Sequence, residues 1–142
     1  FYIPKNEGQL LQLETYFFKN NIQLNDNVNL PNEHALMIIK PYAAKMYGDS
    51  IRAYLIARNY KIIQDKVFQL NIKDTYKLTL DVPLNLQREM NEYICSGKII
   101  VLIIEKKSVH FMIENIIGHR NPRIAKKTNP DSIRALYGTN FI

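Results

Sequence analysis

A ferredoxin-like α+β sandwich on the βαββαβ plan, with its last strand missing or incomplete, is the fold class this sequence predicts. Three observations carry that expectation. Short apolar or alternating runs at "HALMIIK", "YKIIQDKVFQL" and "KIIVLIIEK" suit strands. Stretches with helical spacing separate and follow them, in "DSIRAYLIARN", "LQREMNEYICSG" and "SVHFMIENIIG". The chain has 142 residues, 46% of them apolar, which is enough for one buried core and too little for two ordinary domains.

Taken in order, residues 1–33 form an N-terminal arm, and residues 34–142 form the domain. Within the arm, "EGQLLQLETYFF" has the spacing of an amphipathic helix, and the asparagine-rich "NNIQLNDNVNLPNE" after it suits a surface loop. An isolated helix this short is marginal in water. Its Leu10, Leu11, Leu13, Tyr16 and Phe17 therefore pack on the domain's own surface or dock to a partner, with Leu10, Leu11 and Phe17 as the partner-binding candidates. His34–Lys40 is a buried strand ended by Pro41. Ile51, Tyr54 and Leu55 then mark a helix, and residues 60–70 a strand with one buried face. A helix closed by Gly97, a central strand over residues 98–106 and a helix capped by Ser108 and stopped by Gly118 complete the second round. Asn129, Pro130 and Asp131 stand before a last short helix that carries Ile133, Leu136 and Tyr137 and stops at Gly138.

Composition narrows the function classes. Nineteen basic residues against thirteen acidic give a net charge of +6, and the excess gathers late, in Lys106, Lys107, Arg120, Arg123, Lys126, Lys127 and Arg134. Anionic partners fit that distribution. No recognised nucleic-acid reader pattern accompanies it, so no specific nucleic acid is expected. Neither a membrane-spanning run nor a secretory signal is visible, which points to a cytoplasmic or cytoskeletal setting. Cys95 is the single cysteine, which rules out an internal disulfide and suits a reducing compartment. The first residue, Phe1, is not methionine, so the sequence is expected to be processed or to be a piece of a longer chain.

Three pieces in order resemble the nucleoside diphosphate kinase family: "ALMIIKP" with Lys40, "YICSGKIIVLIIE" over residues 93–105, and "IIGHRNP" followed by "SIRALYG". The spacing agrees over roughly residues 35–142. "IAKKTNPDSIRALYGT" is most similar to the divergent ciliary branch, the radial-spoke and axonemal homologues. The resemblance implies a fold of nucleoside diphosphate kinase type and a two-step transfer in which a histidine carries the γ-phosphate between nucleotides. It implies that the nucleophile lies in an "RNxxHGSD" stretch after the "YGT" element, and the sequence ends at Ile142 before such a stretch.

The same resemblance carries individual positions. Lys40 matches the lysine that faces phosphate, and Arg134 matches the arginine after the long loop that does the same. Leu78 aligns with the tyrosine that helps hold the lysine and histidine, Leu86 with the phenylalanine that stacks on the base, and Glu114 with an arginine that grips phosphate. Leucine lacks an aromatic face, and a carboxylate repels a phosphate. Arg120 replaces a small threonine and is placed to supply a substitute cation. Tyr42 stands where the family has aspartate. Among the remaining candidates, His34, His110 and His119 suit structural roles, Ser96 and Ser132 lack triad partners, and no metal-ligand cluster is visible.

A catalytically degenerate domain is thus expected, serving as a structural or interaction module of the ciliary axoneme with weak or no nucleotide binding and no cofactor. Its contact surfaces are the arm and a basic loop containing Arg120, Arg123, Lys126 and Lys127. Radial-spoke proteins or acidic tubulin surfaces are the expected partners. The alternatives are an active kinase acting on Mg-nucleotide, with its histidine beyond Ile142, and a nucleotide sensor without turnover that relies on Lys40 and Arg134.

Overall fold

The computed structural model describes residues 7–18 and 32–139. The asparagine-rich stretch up to residue 31 and the last three residues, for which expectations are given above, lie outside the described residues. Three strands build the sheet: β1 (Glu33–Ile39), β2 (Lys61–Phe68) and β3 (Ile99–Lys106). Their order is β1-β3-β2, with β3 antiparallel to both neighbours. β1, helix α2 (Pro41–Ala57) and β2 thus form a split βαβ unit with β3 inserted between its strands. Among the described residues the sheet has these three strands, as the missing or incomplete fourth strand requires.

β3 is a continuous apolar run because it is buried on both faces. Ile100, Leu102 and Ile104 enter one core with Met37, Ile39, Ile51, Leu55, Ile113, Ile117 and Ile133. Ile99, Val101 and Ile103 enter the other with Leu36 and Ile38. Helices α2, α5 (Val109–Ile117) and α7 (Ile133–Tyr137) supply the first core, and α4 (Leu84–Cys95) supplies Ile94 to the second.

Helix α1 (Glu7–Phe17) also covers the second face. Leu13, Phe17 and the following Phe18 are buried there, and the Phe17 ring lies 5.0 Å from that of Phe68. Each such side chain contributes roughly 1.5–3 kcal/mol when fully withdrawn from water. This corrects one expectation: Phe17 packs in the chain's own core and is not available to a partner. Leu10 packs against the same cluster, while Leu11 remains exposed.

Several local expectations change as well. Helix α2 begins at Pro41, whose fixed φ and missing N–H suit the first helical position; the proline ends the strand and opens the helix. A short helix α3 (Ile72–Thr75) and a 3-10 turn (Tyr76–Leu78) precede α4, where no element was expected. Ser108 does not cap α5: it takes a left-handed conformation with φ 56, and the Glu33 carboxylate accepts the His110 N–H instead. Finally, the basic loop is mostly helix, α6 (Pro122–Thr128), with Asn121 Oδ1 accepting the Arg123 N–H as its cap.

Candidate functional site

Lys40 stands between the end of β1 and the start of α2, with φ −69 and ψ 162. Its carbonyl accepts the Ala44 N–H, which ties the residue to the first helical turn. The side chain is largely withdrawn from water, and burial pushes its pKa down from 10.5 to about 8. Arg134, then Arg120, add repulsion in the same direction. Two residues that are about eighty and ninety positions away in the chain thus act directly on this lysine.

Arg134 lies in α7, whose start is fixed by the Ser132 hydroxyl accepting the Ala135 N–H and donating to the Asn129 carbonyl. Its Nη1 donates to the Gly118 carbonyl at 2.9 Å. Burial lowers its pKa to about 10, with Arg120 as the second cause. An arginine shifted that far remains charged at neutral pH.

Arg120 belongs to the turn between α5 and α6. Gly118 has φ 85, a conformation that favours glycine, and a Cβ there would collide with the Ser132 hydroxyl. The His119 Nδ1 accepts the Asn121 N–H, and Asn121 then caps α6. His119 therefore works in the turn. Asn129 Nδ2 donates to the Asn115 carbonyl at 2.7 Å, which joins the far end of α6 to α5.

Arg120 thus acts on both Lys40 and Arg134, Arg134 acts on Lys40, and Lys40 makes no ion pair among the described residues. Such a cluster raises the free energy of the empty site and offers several charge-assisted donors to an anion. Glu114 is exposed on α5 and is not among the groups that shift Lys40 or Arg134. No group of three or more His, Cys, Asp or Glu among the described residues is arranged to hold a metal ion.

The other family-matched positions separate. Leu78 is 4% exposed in the second core, so it packs there and does not face a ligand. Leu86 is 37% exposed on α4. Between α3 and the start of α4, Tyr76, Leu80 and Leu84 are exposed. The Tyr42 ring is exposed and lies edge-on to Tyr47, while its N–H donates to the Tyr93 hydroxyl. Arg123, Lys126 and Lys127 all project from α6 into solvent, together with Ile124.

The fold is an α+β split βαβ sheet, with the half-buried Lys40 and Arg134 and the exposed Arg120 gathered at the end of its first strand. The model of the nucleoside diphosphate kinase family matches residues 33–142, and the chain belongs to that family. Thioredoxin domain-containing protein 6 of Xenopus laevis is 28% identical over 119 residues, which are 82% of this chain and 19% of that protein. Nucleoside diphosphate kinase homolog 5 of Homo sapiens is 26% identical over 110 residues, 76% of this chain and 51% of that protein. The chain therefore spans about half, or less, of the length of these relatives. Among solved structures, the nucleoside diphosphate kinase of Aquifex aeolicus superposes with a TM-score of 0.67 at 26% identity, covering 78% of this chain and 79% of that one. The enzyme of Halobacterium salinarum, solved with CDP, gives 0.68 at 17% identity over 78% and 72%, a likeness of fold.

Proposed function

We propose that this domain binds the phosphates of a nucleotide at Lys40, Arg120 and Arg134 and uses that site as part of an interaction module, without turning the nucleotide over. The observation that carries the reading is the half-buried Lys40 at the end of β1, which makes no ion pair among the described residues and whose pKa is held down by burial and then by Arg134 and Arg120. A polyphosphate brought there replaces repulsion with attraction. Lys40 contributes a point charge from the strand end, Arg134 a planar fork from α7, and Arg120 an exposed cation at the rim.

Degeneracy is supported by Glu114, a carboxylate at a position matched to a phosphate-binding arginine, and by the leucine at Leu86. Any partner surface centres on α6, where Arg123, Lys126 and Lys127 are exposed. Placement in the axoneme rests on the similarity of residues 124–139 to axonemal members. A fluorescently tagged chain concentrated in cilia supports it, and exclusion from cilia refutes it.

The test of binding is thermal stabilisation by ATP and ADP of the parent and of Lys40→Ala. Stabilisation of the parent that Lys40→Ala loses is the expected result, and no stabilisation of the parent removes the reading. The retained pair of Lys40 and Arg134 favours one other reading, an active kinase. Labelling of the full natural protein on histidine by γ-labelled ATP distinguishes it from a binding module.

A further inference from the structure

A cleft of about 380 Å³ lies at the opposite end of α2 from Lys40, between the helix terminus, α5 and the turn before α7. Since α2 has 17 residues, the two places are about 25 Å apart along its axis. We infer that this cleft is a second ligand site, which takes a small organic anion through a single carboxylate or phosphate group.

Two half-buried cations line it, Arg58 and Lys106, and neither makes an ion pair among the described residues. The Arg58 guanidinium carbon stands 3.4 Å from the centre of the Tyr54 ring, and Nη1 donates to the Tyr54 carbonyl at 3.3 Å. Stacking fixes the plane of the guanidinium while most of its five N–H donors stay available. The Lys106 ammonium lies 4.5 Å from the centre of the Tyr60 ring and donates to the Arg58 carbonyl at 2.6 Å, so it too is held in place.

Tyr60, on the wall of the same cleft, is 2% exposed, and its hydroxyl has no hydrogen-bond partner. That hydroxyl is itself closed off from solvent, so the residue's part in the cleft is its ring, which holds the Lys106 ammonium. Asn115 and Asn129 add amides to the lining. Asp131 is there as well, and its carboxylate offsets one of the two positive charges. The remaining charge of about +1 favours a single carboxylate or phosphate head over a polyphosphate, which suits the other site. The volume lies at the small end of the range for ligand pockets.

The experiment is a carbon-13 NMR titration of the tyrosine rings of the full chain, with assigned Tyr54 and Tyr60 signals, using benzoate and phenyl phosphate as separate probes. A saturable shift of both rings is expected with at least one probe, and the stronger of the two identifies the head group. Arg58→Gln should weaken that binding about tenfold or more. Lys40→Ala should leave it unchanged, which separates this site from the nucleotide site. Tyr60→Phe keeps the ring that holds Lys106, should unfold no more readily than the parent, and should bind as the parent does. The proposal is overturned by a lack of saturation with both probes, by equal binding in Arg58→Gln, or by loss of binding in Lys40→Ala.

Discussion

Replacing Lys40 with methionine should stabilise the empty protein and abolish its response to phosphate. The ammonium is held at a pKa of about 8 instead of 10.5, chiefly by burial and then by Arg134 and Arg120. At about 1.4 kcal/mol per pH unit, the charged form costs the fold roughly 3 kcal/mol. Methionine keeps most of the apolar stem and removes the charge, so a gain of about 1–3 kcal/mol near pH 7 is expected, equivalent to several degrees in Tm. The sign is fixed by proton counting. Between about 8 and 10.5 the folded parent binds fewer protons than the unfolded chain, so its stability rises with pH across that window. Below the window the lysine is charged in both states and the full cost stands; above it the cost is gone.

The advantage of Lys40→Met should therefore be greatest at neutral pH and vanish in strong alkali, as read by urea denaturation at both extremes. Inorganic pyrophosphate should reverse the order at neutral pH. At about one hundred times its Kd a ligand stabilises the binding form by about 2.7 kcal/mol, and the variant should gain little. A variant less stable than the parent near pH 7, an advantage that does not change with pH, or an equal gain from pyrophosphate in both proteins would refute the reasoning.

Other perturbations act on the frame around that site. Gly118→Ala places a Cβ against Ser132 at a positive φ, so it should cost about 2–4 kcal/mol in urea denaturation and weaken pyrophosphate binding with it. Glu14 is buried, one carboxylate oxygen has no partner, and burial raises its pKa against the smaller opposing effects of His34 and His110. An acid with a raised folded pKa favours the fold at low pH and loses that contribution as pH rises through the folded value. Glu14→Gln should accordingly be more stable than the parent at neutral pH and no more stable below the ordinary carboxylate range, by thermal melts. Reversing Lys126 and Lys127 to glutamate should reduce capture of tubulin in a pull-down without changing Tm, and unchanged capture would remove α6 as the contact surface.

How much of this was legible in the sequence depends on the element. β3 could be read with certainty of type, because burial on both faces demands an unbroken apolar run, and residues 99–104 supply one. The first turns of α2 were hidden because Pro41 signals a strand end and a helix start with equal force. α6 was hidden because prolines at both ends of "NPRIAKKTNP" suggest a loop, although Asn121 and Pro122 are a cap followed by a first helical residue. For Ser108, residue type gave the wrong answer because a distant carboxylate, Glu33, took over the capping role. Lys40 and Arg134 came into view only through family resemblance. Spacing along the chain says nothing about three cations drawn from the end of β1, a turn and α7. The cleft near Arg58 is similar: Tyr54 and Arg58 are neighbours on one helix face, but Tyr60 and Lys106 arrive from β2's approach and the end of β3.

The net charge of +6 has two possible origins, a background bias spread over solvated faces or a concentration at particular sites, and the pattern of pairing decides between them. Arg52 lies between Asp65 and Asp49, and Arg88 pairs with Glu92, so these cations are satisfied within their own elements or by the adjacent strand. Lys40, Arg58 and Lys106 differ: each is half-buried and none has an ion-pair partner among the described residues. A solvated lysine needs no partner, because water screens it. A cation withdrawn from water does need one, and keeping it without one lowers stability unless an anion from outside completes it. Such positions occur at both ends of α2, beside arginine pairs at one end and tyrosine rings at the other. Background bias gives no reason for withdrawing cations from water at both ends of one helix, and anion binding, as proposed for each, does.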